Sequence, residues 1–219
     1  MPRPKVPLIS KRKTLEAALR IIDAEGLESL SVRRLAIELN VNGASLYHHF
    51  KNKEEILVGA ANLALEDVRT PASAGNEDWR IWLLRNGERL RLALVDHPDL
   101  IPIMMQRELL GIGVAELDAT AALLETEGVP IEAIAPILDF GELLAMVVAM
   151  AQTSRKSPGR GVPTEYPHLY RAVNARGTSI SELFAEAYIA GVDAIVNKVT
   201  STPAKKGPAA KRKRAPRPA

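Results

Sequence analysis

The sequence predicts an all-α fold, with a small N-terminal helical domain ahead of a larger helical body. Apolar residues recur every three or four positions from Thr14 onward, as one buried helix face requires. Glycine, proline and asparagine interrupt that pattern at intervals of helix length. No stretch alternates apolar and polar residues as a half-buried strand would.

The opening MPRPKVPLISKRK, residues 1–13, holds three prolines and five basic residues and reads as an extended basic arm. From Thr14, Leu15, Leu19 and Ile22 share one helix face, and Gly26 suits the helix end. Ser31 is placed to cap a second short helix with Val32, Leu35, Ala36 and Leu39 on one side. ELNVN then reads as a tight turn, because asparagine is the commonest non-glycine residue in the left-handed conformation that such a turn needs at Asn40. Asn42 can cap a third helix, roughly 43–49, and Asn52 with Glu55 opens a fourth in capping-box style. The first domain is therefore set at 14–60. Beyond the TPASAGN break, helices are expected near 77–96, 99–110, 114–127, 130–153, 165–175 and 179–198, a second domain over 61–199. The tail, 200–219, is rich in Ala, Pro, Lys and Arg and cannot bury enough apolar surface to fold.

Composition narrows the chemistry. The 219 residues include no cysteine, which excludes disulfides, thiol catalysis and thiolate metal sites, and a reducing cytoplasm is the expected compartment. The longest apolar run, around 143–151, is too short to cross a bilayer, so no membrane partner is expected. The net charge of +3 is segregated. Residues 1–60 hold ten Lys/Arg against seven Asp/Glu and residues 198–219 hold eight against none, while the body between them is acidic. Both ends favour polyanions.

The stretch SLYHHFKNKEEIL concentrates Tyr47, His48, His49 and Phe50 ahead of Lys51 and Lys53. Two helices joined by a short turn and followed by a polar-aromatic helix make a helix-turn-helix, whose second helix enters the major groove while its surroundings grip phosphates. Leu46 and Phe50, four apart, would point inward, leaving Asn42, Gly43, Ala44, Ser45, Tyr47, His48 and His49 on the outer face. Lys53 at the start of the next helix suits a phosphate. Adjacent His48 and His49 point about 100° apart, so a shared metal ion is not expected. Arg33 and Arg34 remain open between a DNA contact and a solvated face.

GLESLSVRRLAIELNVNGASLYHHFKNKEEIL resembles the DNA-binding domain of TetR-type transcriptional regulators over about residues 14–60, with Asn40 where the family has a turn glycine. The resemblance implies groove or base contacts at Arg33, Gly43, Ala44, Ser45 and His48, and phosphate contacts at Ser31, Tyr47, His49 and Lys53. It also implies a double-stranded DNA operator, a helical body that binds a small-molecule effector, and a homodimer formed by two late helices. Independently, Gly141, Ala145 and Ala149 on one helix and Ala187, Gly191 and Ala194 on another recur at spacings that allow close helix approach. With Val148, Leu183 and Phe184 they make a candidate dimer interface, packing within one chain being the alternative. Trp82, Ile103, Met104, Met105, Phe140, Met146 and Met150 are candidate pocket residues, with Arg85, His97, Gln106 and His168 as polar anchors. The body is similar to that of tetracycline repressors, and Met104 and Met150 fall where that branch supplies metal-binding side chains. Thioethers do not suit magnesium, so a hydrophobic effector without a metal is expected, and no cofactor.

An enzyme is not expected: there is no phosphate-binding glycine loop and no His-x-x-x-His pair. The rival is a general nucleic-acid binder working through its basic ends, whose affinity would fall steeply with salt whatever the state of the helix-turn-helix. On the regulator reading, deleting 200–219 lowers overall DNA affinity and its salt dependence but leaves the preferred DNA motif unchanged. Titrating both chains against one selected duplex over a salt series checks this.

Overall fold

The computed structural model describes residues 10–68, 77–106, 113–154, 163–175 and 179–201, and all its regular elements are helical. Most of the proline-rich arm and the basic tail lie outside the described residues. Helix α1 (Lys11–Glu25) starts earlier than the apolar pattern suggested. Ser10 Oγ accepts the Lys13 amide at 3.2 Å, so the basic triplet expected in an extended arm forms the first helical turn. Gly26, at φ 86°, ends the helix, and a 3-10 turn over Leu27–Ser29 leads to α2 (Val32–Glu38). Ser31 Oγ caps α2 through the Arg34 amide at 3.0 Å.

Asn40 holds the left-handed conformation at φ 51°, the one non-glycine residue among those described to do so. Asn42 Oδ1 accepts the Ala44 amide at 3.0 Å and starts α3 (Gly43–Leu46), which is shorter than expected and continues to His49 as turn. Helix α4 (Lys53–Ala64) is capped by Asn52 Oδ1 on the Glu55 amide at 2.8 Å. Glu55 reaches back to the amide of Lys51 at 2.7 Å and not to that of the cap residue. Ala17, Ile21, Ile22, Leu30, Leu35, Leu46, Phe50 and Ile56 form this domain's core, and Leu46 and Phe50 anchor α3 to it.

A 3-10 turn over Glu66–Val68 follows α4. The body comprises α5 (Trp79–Asp96), a 3-10 turn over Pro98–Leu100, α6 (Ile101–Met104), α7 (Val114–Thr126), α8 (Ile131–Ser154), α9 (Pro167–Asn174) and α10 (Ile180–Ser201). The helix expected over 99–110 is instead the 3-10 turn and the short α6, and 107–112 lie outside the described residues. Helix α8 is apolar and long enough to cross a membrane by length and composition, but it is the core helix of the body, packed on α5, α7 and α10. Its Ala133, Ile134, Ile137, Ala145 and Ala149 are buried.

Two devices join α5, α8 and α10. Arg91, 1% exposed, donates to both carboxylate oxygens of Glu88, to Gln152 Oε1 and to Ser181 Oγ, with its guanidinium over the Phe184 ring. A buried guanidinium is tolerated only with its donors engaged in this way. Tyr188 of α10 lies against Gly87 and Gly141, where an added Cβ would come within 2.5 Å of its ring or hydroxyl. The glycines make room for the tyrosine.

Because the left-handed conformation costs a β-branched residue more than an asparagine, Asn40→Val should lower stability by about 1–2 kcal/mol, whereas Asn40→Gly should not. Thermal unfolding of the two variants beside the parent chain measures this.

Candidate nucleic-acid interface and ligand cavity

The residues expected to meet DNA lie on one domain around α3. Ser31, Arg33, Asn42, Ala44, Tyr47, His48 and Lys53 are exposed, and Gly43, Ser45 and His49 are half-buried. Tyr47 is 60% exposed although aromatic, while Phe50 is 4% exposed in the core. The two arginines of α2 separate. Arg34 is engaged by Glu25 at 2.6 Å and Glu38 at 2.9 Å, whereas Arg33 has no ion pair among the described residues. Hydrogen bonding from Arg34 holds the Glu25 carboxyl below its usual range. At the start of α4 the Glu55 amide is taken by Asn52 Oδ1 and the Lys51 amide before the helix by Glu55, and Lys53 adds its ammonium as a phosphate partner.

The sequence reading left out Lys11 and Lys13. Both are exposed on the first turn of α1, and the Lys11 ammonium lies 5.8 Å from the centre of the Phe50 ring, beside the end of the α3 turn. The run KRK was visible, but reading it as an arm hid its position beside α3.

The body contains a cavity of about 300 Å³, within the range of small-molecule sites. Its wall is drawn from α4 and the turn after it (Asn62, Leu65, Val68), α5 (Trp82, Leu83, Asn86, Gly87, Leu90), α6 (Met104), α7 (Glu116, Thr120), α8 (Leu138, Gly141, Glu142) and α10 (Tyr188). No lysine, arginine or histidine is among the described lining residues. Glu142 is a buried carboxylate there, and burial pushes the Tyr188 phenol above its usual pKa. The indole N–H of Trp82 is buried without a hydrogen-bond partner among the described residues, a cost of about 1–3 kcal/mol.

Of the expected pocket residues, Trp82 and Met104 line this cavity. Ile103 and Met146 are buried with Leu65, Leu94 and Leu100 where the two domains meet. Phe140 packs on Tyr188 and against Gly191. Met105 and Met150 are 76% and 51% exposed, and Gln106 and His168 are exposed as well. Arg85 pairs with Glu77, and His168 Nδ1 lies 3.2 Å from Arg171. His97, at the C-terminal end of α5, lies 2.9 Å from Asp23 of α1 and so joins body to N-terminal domain. Asn62, Asn86, Glu116, Thr120, Glu142 and Tyr188 were missed, since polar residues on a helix carry no sign of facing inward.

The small-residue stripe also turns inward. Gly141, Ala145 and Phe184 are buried and Gly191 faces Phe140, so these close contacts are made inside one chain. Val148 and Ala187 are half-buried, with Val148 against the body core. Of the residues expected at a dimer interface, Leu183 and Ala194 are exposed. Leu143 and Val147 of α8 are 56% and 55% exposed on the face opposite the stripe.

The described residues thus make a helix-turn-helix domain and an all-α body with a cavity of its own. Residues 15–60 match the family model described as "Bacterial regulatory proteins, tetR family". An HTH-type transcriptional regulator of Saccharopolyspora erythraea is 33% identical over 105 residues, 48% of this chain and 44% of that protein. Tetracycline repressor protein class G of Vibrio anguillarum is 34% identical over 92 residues, 42% of this chain and 44% of that repressor. The chain thus spans less than half the length of these curated relatives. Over most of the chain the fold is similar to apo ActR from Streptomyces coelicolor, with TM-score 0.70 and 29% identity, covering 90% of this chain and 100% of ActR. ActR in complex with actinorhodin also matches with TM-score 0.70, at 28% identity, covering 89% and 99%. Residues 15–60 thus resemble the DNA-binding domain of bacterial tetR-family regulators, and the fold over most of the chain is similar to that of ActR.

Arg33→Ala is expected to weaken DNA binding about tenfold or more with the unfolding temperature unchanged. Arg34→Ala should instead lower the unfolding temperature. Fluorescence anisotropy on a selected duplex, paired with thermal melts, separates the two.

Proposed function

We propose that the protein is a homodimeric repressor that holds a palindromic operator in the cytoplasm and is released when a small hydrophobic molecule enters the cavity. The carrying observation is the position of α4. Its first half packs on α1 beneath the DNA-facing surface, and its end contributes Asn62 and Leu65 to the cavity wall. A molecule pressing on Leu65 and Met104 therefore acts on the element that supports the helix-turn-helix. It releases DNA to the extent that it binds the displaced arrangement more tightly than the DNA-bound one. ActR with actinorhodin bound and the tetracycline repressors support a ligand-responsive body.

Self-association is assigned to the outward faces of α8 and α10, where Leu143, Val147 and Leu183 are exposed beside Ala190 and Ala194. Pairing through this face presents two α3 helices to one duplex, and two-fold symmetry in the protein calls for an inverted repeat in the DNA. Each domain alone binds weakly, so a modest change in their separation is enough for release.

Selection of bound DNA from a random duplex pool at near-physiological salt tests the reading. The wild type should enrich an inverted repeat and Tyr47→Ala should not. Val147→Glu should run as a monomer in light scattering and lose the repeat. No enriched motif with the wild type would overturn the proposal and leave a nonspecific binder with basic ends.

A further inference from the structure

The cations of the N-terminal domain divide into two groups. Arg34 is held by Glu25 and Glu38, and Arg12 by Glu16 and Glu66. Lys11, Lys13, Lys51 and Lys53 are exposed and have no ion pair among the described residues. Lys11 is brought to the end of α3, its ammonium 5.8 Å from the centre of the Phe50 ring, and Phe50 lies between His49 and Lys51 in the chain. The turn that carries Lys11 and Lys13 is fixed in place. Ser10 Oγ accepts the Lys13 amide, and the fully buried Thr14 donates its hydroxyl to the Ser10 carbonyl at 3.1 Å. Arg12, between the two lysines, donates to both carboxylate oxygens of Glu66 at 2.9 and 3.3 Å. Glu66 follows Leu65, which is buried in the joint between the domains and lines the cavity.

We propose that the first turn of α1 is a phosphate-binding element beside α3, with Lys11 and Lys13 as its contacts and Arg12 as a positioning residue held by Glu66. This rests on reading the protein as an operator-binding regulator, and adds a grip that the helix-turn-helix alone does not supply. Duplex phosphates take ammonium groups without regard to sequence, so the element sets affinity and register and leaves the motif to α3. Phe50 holds the Lys11 ammonium within cation–π range at the end of α3, where a duplex engaged by α3 meets it on the flank. Through Glu66 the same turn is tied to the cavity end of α4, so cavity occupancy acts on a DNA contact outside α3.

The test is fluorescence anisotropy of the full chain on a duplex selected by the wild type, over a salt series, with thermal melts of every variant. Lys11→Gln and Lys13→Gln should each weaken binding about fivefold and lower the slope of log affinity against log salt by about 1, with the unfolding temperature and the selected motif unchanged. Lys11→Arg, which keeps the charge, should bind as the wild type does. Arg20→Gln, which removes an exposed cation further along α1, should leave the slope unchanged. Glu66→Gln should weaken binding about threefold, within the reach of an exposed ion pair. That sign is decisive, because neutralising a carboxylate near DNA strengthens binding unless the carboxylate places a contact. Either lysine variant binding as the wild type does, an equal loss with Arg20→Gln, or unchanged or tighter binding by Glu66→Gln would overturn the inference and leave the operator-binding reading in place. A wild type that selects no motif would overturn both.

Discussion

The packing of Leu65 and Met104 at the end of α4 is the contact on which the rest of the arrangement depends. Both side chains belong to a buried cluster with Leu94, Leu100, Ile101, Ile103, Met146 and Ala149, drawn from α5, α6, α8 and the turns between them. Leu19, Leu27 and Leu57 from the DNA-binding domain pack against the same cluster. A close-packed joint of this kind does not deform smoothly, and in the proposed mechanism a change on its cavity side is passed on as a rigid displacement. Two polar links flank it: His97 with Asp23, and Arg12 with Glu66 at 2.9 Å. The second is largely exposed and adds little energy, but it ties the first turn of α1 to the segment leaving α4.

The first domain was legible because its signals are local. Ser31, Asn42 and Asn52 each cap the helix that follows, and Asn40 takes the turn conformation its side chain tolerates. What failed there concerned neighbours. Lys11 to Lys13 were read with the prolines before them, yet Ser10 supplies a helix start that outweighs that context.

In the body the helices were legible and their orientation was not. Gly141 and Gly191 suggested a surface for a second chain, but Tyr188 packs against the first and Phe140 against the second inside one chain. Spacing alone marks a close approach and does not say what approaches. His97 was read as a pocket residue on its chemistry, and its partner Asp23 is 74 positions away in sequence. Asn86 and Thr120 were passed over for the converse reason, since a polar residue on a helix is usually a solvated one.

Tyr188 has a consequence for how effector affinity behaves. It lies in the cavity wall on α10, the same helix whose outer face carries Leu183 and Ala194. In the proposed dimer, occupancy and pairing therefore share one rigid rod, and their free energies are linked. Whatever a ligand does to the pairing constant, pairing must do to the ligand's dissociation constant. Effector affinity then has no single value for this chain, and depends on how much of the protein is paired at the concentration where it is measured.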